Sequence, residues 1–82
     1  MDREYLQGVY DYLNNEHTEY YLATKKAQKS TVEDRVRSYS HNLKDELYLT
    51  LNENCASGLF KHGFFESDLS RSLRILKDIL TT

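Results

Sequence analysis

Between Ser30 and Gly58 the chain keeps one apolar period with no proline to break it, and this stretch restricts the fold more than any other. At about 100° per residue, Val32, Val36, Tyr39, Leu43 and Leu47 fall within one narrow stripe, while Ser38, Asn42, Lys44, Asp45 and Glu46 lie off it. The spacing predicts one long amphipathic helix that stops at Gly58.

A stripe of that kind has to be covered. Residues 2–29 offer the cover, because Leu6, Val9, Tyr10, Leu13, His17, Tyr20, Tyr21, Thr24 and Ala27 share one wide helical face. Gly8 and the Asn14-Asn15 pair leave one helix or two open over this range, and the unbroken phase of the stripe favours one. Lys25, Lys26 and Lys29 would complement the negative end of that helix, and Ser30 with Glu33 matches a capping box that opens the next. The turn is therefore expected at Gln28–Thr31, in an antiparallel hairpin that pairs Thr24 with Val36, Tyr20 with Tyr39 and Leu13 with Leu47.

Beyond Gly58, expected as the left-handed residue of a helix ending with Leu59 folded back on it, Phe60, Phe64 and Phe65 anchor a connector. Ser67 is the expected N-cap of a last helix with Leu69, Leu73, Leu76 and Leu80 on one stripe. The fold class is all-α: a long antiparallel hairpin with a shorter third helix, a three-helix bundle over residues 1–82. At 1.5 Å per residue the long pair would span roughly 40 Å and the last helix about 20 Å. It would leave Tyr20, Tyr21, Leu22 and Tyr39 uncovered, a patch for a partner or for a homodimer.

Composition narrows the function classes. A formal charge of −2 and a pI near 5.9 disfavour a dedicated nucleic-acid or membrane-surface binder, both of which use a basic excess. A single cysteine and no secretory or membrane-spanning pattern point to a reducing, cytoplasmic setting. His17 has no second ligand at helical spacing, and Cys55, His62 and Glu66 match no metal pattern, so neither a metal nor another cofactor is expected. Cys55 has no adjacent base, and no phosphate loop or nucleophile elbow occurs, so an enzyme is not expected.

What remains are surfaces. Tyr5, Tyr12, Glu16, Glu19 and Ala23 form a second, weaker stripe in which tyrosines are interleaved with acids, as partner-binding faces often carry, the alternative being that the last helix docks there. Lys25, Lys26, Lys29, Arg35 and Arg37 would crowd at the hairpin tip, with Tyr21 and Tyr39 nearby. Ala23 apart, these eleven residues are the expected contacts of a small non-catalytic adaptor, inhibitor or regulatory protein. The alternative is a DNA-binding regulator, since Ser67 to Lys77 resembles the recognition helix of a helix-turn-helix with Gly63 in the turn. Against it, Arg71 with Asp68 and Arg74 with Asp78 are spaced as ordinary surface pairs.

Overall fold

The computed structural model describes all residues of the chain except 56, 57 and 62. Among the described residues it contains four helices: α1 Arg3–Leu22, α2 Lys26–Ser40, α3 Asp45–Asn52 and α4 Phe65–Leu80. The all-α class holds. The helix count does not, because both long helices expected from the sequence are broken.

The first break falls at Ala23–Lys25, ahead of the expected Gln28–Thr31 turn. Ala23 and Lys25 are extended, and the Gln28 side chain accepts from the backbone N–H groups of Thr24 and Lys25, both at 3.2 Å. Gln28 thus closes the first turn of α2 from its third position, half of a capping box. Ser30 and Glu33, which looked like the box, lie inside α2. Lys29 reaches back and donates its ammonium to the Tyr20 carbonyl at 3.0 Å, satisfying one of the last carbonyls of α1.

The second break splits the Ser30–Gly58 helix at His41–Lys44. Buried Ser40 turns its hydroxyl back to the Arg37 carbonyl at 2.7 Å, and the N–H groups of Asn42 and Leu43 make tight bonds to Tyr39 and Ser40. Lys44 is extended and donates its N–H to the Tyr5 hydroxyl at 3.0 Å. Asp45 and Glu46 then occupy the first turn of α3, where carboxylates favour the positive end of the helix. Hydrophobic phase survives the bend, with Val32, Val36, Leu43 and Leu47 all buried, so periodicity alone did not reveal it.

α1 packs against α4 and α2. Contacts at both ends make α4 antiparallel to α1: the Phe65 ring packs tilted against Tyr20 with centroids 5.0 Å apart, and the Arg3 guanidinium bonds the Leu80 carbonyl. The expected half-coverage is thereby corrected, because α4 extends along nearly all of a first helix that is shorter than expected. Leu6, Val9 and Leu13 of α1 meet a core shared with Val32, Val36, Leu47, Leu51, Leu69 and Leu76.

The connector is fixed by polar groups from three elements. Gly58 has the expected left-handed conformation (φ +100°), six residues beyond the end of α3 instead of at it. The Asn52 side chain receives the Leu59 N–H at 2.7 Å. Phe60, also left-handed at φ +58°, is held from both sides: its N–H donates to buried Asp68 of α4 at 3.0 Å, and its carbonyl accepts from Arg37 of α2 at 2.9 Å. A non-glycine residue in this region costs energy, which these bonds and burial of the ring offset.

Two stability measurements check this packing. In α3, Leu47 is 0% exposed and Leu49 57% exposed; Leu47→Ala should cost about 2–5 kcal/mol and Leu49→Ala no more than about 0.5 kcal/mol in denaturant unfolding. Ser72 Oγ is buried with no hydrogen-bond partner among the described residues. Ser72→Ala removes that desolvated hydroxyl and should leave stability unchanged or raise it by about 1 kcal/mol.

Candidate interaction surface

The stripe of tyrosines and acids on α1 faces α2. Tyr12 stacks on Tyr39 with ring centroids 3.8 Å apart and planes 19° apart. The Glu16 carboxylate, 5% exposed, accepts from Arg35 Nε at 2.5 Å, Arg35 Nη2 at 2.7 Å and the Tyr12 hydroxyl at 3.1 Å. Arg35 Nη2 also reaches Glu19 at 2.7 Å. Residues 16 and 35, and 12 and 39, are thus opposite one another, several residues out of register with the expected pairing of Tyr20 with Tyr39.

The electrostatics follow from that geometry. Hydrogen bonds from Arg35 hold the Glu16 carboxyl below the usual glutamate range although burial opposes them. Burial and the adjacent Glu16 charge push the Tyr12 hydroxyl up to about 12, with Arg35 opposing. Arg35 is raised further above its already high value, chiefly by its bonds to Glu16. Tyr39 is raised by burial and then by Tyr5. Tyr5 itself lies under the Lys44 ammonium, 4.6 Å from the ring centroid.

Arg37 is occupied as well. Besides the Phe60 carbonyl it holds Glu33 at 3.0 Å and Asp34 at 3.7 Å, and its guanidinium lies 5.7 Å over the Phe65 ring. Of the eleven residues singled out in the sequence, Tyr5, Tyr12, Glu16, Glu19, Arg35, Arg37 and Tyr39 therefore have intramolecular partners, Glu19 and Arg35 while still exposed. Lys29 is half-engaged, over the Tyr20 ring at 4.4 Å.

Tyr21, Lys25 and Lys26 are left, and the fold brings them together at the turn between α1 and α2. Tyr21 is 71% and Leu22 74% exposed. Beside them opens a shallow groove of about 260 Å³ lined by Glu19, Leu22, Ala23, Gln28 and Val32. Ala23, Gln28 and Val32 were not marked as site residues by sequence reasoning; the spacing of Gln28 from Lys25 was the available signal for the turn. Among the described residues the ammonium groups of Lys25 and Lys26 enter no ion pair. They also sit at the start of α2, whose first turn carries no acid, so the helix dipole repels the cations it was expected to attract.

The other sites considered are less complete. Cys55 is pushed up to about 11 by burial and by nearby Asp68, which keeps it a thiol at neutral pH. Among the described residues no three of His, Cys, Asp or Glu converge on a metal position; His62 lies outside them. His17 meets the Ser70 hydroxyl at 3.5 Å. On α4, Arg71 donates to the Asn54 carbonyl at 2.7 Å and not to Asp68, which Phe60 occupies. Residues 53–64 separate α3 from α4, far more than the three or four residues of a helix-turn-helix. Among the described residues no helix is long and apolar enough to cross a membrane. No family model matches the chain, and no curated protein or solved structure is significantly similar to it.

The Glu16 network predicts a pH dependence at both extremes. Because the folded carboxyl titrates below the unfolded one, its stabilisation is present above the ordinary value of about 4.3 and is lost as pH falls through the depressed one. Tyr12 acts at the other end: the unfolded phenol ionises near 10 and the folded one near 12, so stability declines across that interval. Thermal melts of wild type, Glu16→Gln and Tyr12→Phe across pH should show the acid component reduced in the first variant and the alkaline component reduced in the second, where Tyr20 and Tyr39, also raised, supply the remainder. Arg35→Ala, which strands a buried carboxylate, should destabilise more at neutral pH than Glu16→Gln.

Proposed function

We propose that this protein is a small non-catalytic interaction module that holds another protein at the α1–α2 tip. The observation that carries this reading is the combination of an exposed apolar pair, Tyr21 and Leu22, with two lysines whose ammonium groups enter no ion pair among the described residues. Apolar side chains of this size beside free cations are what a recognition surface needs, since the first supply buried area and the second orientation. The groove holds about 260 Å³, below the roughly 300–1,000 Å³ of small-molecule sites. It suits one anchoring side chain of a larger partner.

Charge selects that partner's chemistry. Glu19 on the groove shares Arg35 with Glu16, a cluster of net charge −1, and the cations without an ion pair among the described residues beside it are Lys25 and Lys26, which leave the α1–α2 turn net positive by one. The fitting ligand is a segment with one large apolar side chain flanked by carboxylates. An anionic membrane is a poorer match, because basic lipid-binding patches use about four to eight cations and contribute only about 1 kcal/mol for each. DNA contact by Ser67 to Lys77 is also weaker, with Arg71 already bonded to Asn54.

Amide NMR titration with a short acidic peptide carrying one leucine tests the proposal. Shifts should concentrate in residues 19–32, fade as salt rises and disappear in Lys25→Glu/Lys26→Glu. Shifts confined to α4, or a response only to duplex DNA that depends on Arg71 and Arg74, would refute it.

A further inference from the structure

The ligand just described is present on this chain's own surface. α3 buries Leu47 and Leu51 and turns Leu49 outward. At 100° per residue, Asp45, Leu49, Glu53 and Glu46 fall within an arc of about 100°. All four are exposed, and among the described residues none of the three carboxylates enters an ion pair. Leu49 is thus a large apolar side chain set among three acids without an ion pair, the complement of the groove at Leu22 and of Lys25 and Lys26, which follow it in the α1–α2 turn.

A molecule cannot satisfy its own pair. The start of α3 is tied to Tyr5 in the first turns of α1, through the Lys44 N–H, while the groove lies at Leu22 where α1 ends. That separation is about 25 Å along α1 at 1.5 Å per residue. We infer that the occupant of the tip groove is a second copy of this chain, which inserts Leu49 and sets Asp45, Glu46 and Glu53 against Lys25 and Lys26. This rests on the tip reading above and names its partner.

The contact joins two different patches, so it is head-to-tail. Each bound copy still presents one free tip and one free α3, and association continues into an open chain or closes into a ring. It is not the two-fold dimer in which one patch meets itself. Electrostatic attraction across the rim makes it weaken with salt, since exposed charges are screened over about 10 Å at 0.1 M.

Sedimentation equilibrium on the full chain, from micromolar to millimolar concentration, reads the result. Wild type should form species beyond the dimer at low salt and fewer at high salt. Lys25→Glu/Lys26→Glu removes the tip, and Leu49→Glu removes the anchor; each alone should weaken association at least about tenfold. Mixed together they should form a one-to-one dimer that grows no further, because one supplies the only working tip and the other the only working α3. Should Leu49→Glu fail to keep the helical circular dichroism of wild type, Asp45→Asn/Glu46→Gln/Glu53→Gln replaces it with little change in helix propensity. Association of the α3 variants equal to wild type, or absence of the mixed dimer, overturns the inference. A strictly monomeric wild type whose tip still binds the acidic leucine peptide overturns it too, and leaves the tip reading intact. A monomer whose tip binds neither overturns both.

Discussion

The carboxylate of Glu16 is the constraint on which the arrangement of α1 and α2 depends. It lies in line with Leu6, Val9 and Leu13 on the buried side of α1, where an unpaired charge would be costly. Arg35 answers it with two hydrogen bonds, and Tyr12 with a third. Because a fork of this kind tolerates little displacement, it sets residue 35 opposite residue 16 and brings Tyr39 over Tyr12. Sliding α2 by one turn would leave a carboxylate in the core without a partner.

From that register the rest follows by connection. With residue 16 facing residue 35, the chain has to reverse near residue 24, where Gln28 closes the new helix. α2 then delivers Arg37 to the Phe60 carbonyl, and the Phe60 N–H donates to Asp68 at the start of α4. A single left-handed residue therefore couples the direction of α4 to the position of α2. The aromatic contacts of Phe65 with Phe60 and Tyr20 extend the same coupling to α1. Charged groups here act mainly as specifying contacts, while burial of leucine and valine supplies most of the driving force.

The same pairing decides which charges face outward. Arg35 and Arg37 are drawn inward, which removes two of five bases from the expected basic tip, and Lys29 turns to the end of α1. Lys25 and Lys26 remain, at a helix start that does not favour them. Local rules broken without an internal compensation tend to mark function, and the adjoining exposed Tyr21 and Leu22 agree with that. On the far side of the molecule Leu49 breaks another rule, as an exposed leucine on a short helix whose neighbours on that face are acids.

Read without the structure, the chain gave its helical class, its apolar stripes and most of its core: Leu6, Val9, Leu13, Val32, Val36, Leu43, Leu47, Leu69 and Leu76 are buried as their spacing requires. Gly58 likewise has the left-handed backbone its position called for. Those features are local, because period and backbone conformation are properties of a few neighbouring residues. The two breaks were harder to read, since neither has a glycine or proline: the first carries only the local signal of Gln28 three residues after Lys25, and the second is held in part by Tyr5 receiving the N–H of Lys44 across 39 residues of chain. The candidate site was legible in part. Tyr21, Lys25 and Lys26 were singled out by type, but that Tyr12, Glu16, Arg35 and Arg37 would be paired within the fold depended on the register, which the buried Glu16 carboxylate and its bonds to Arg35 fix and periodicity does not. Sequence determined which residues seek the core; only the tertiary structure decided which charges were left without an internal counter-charge.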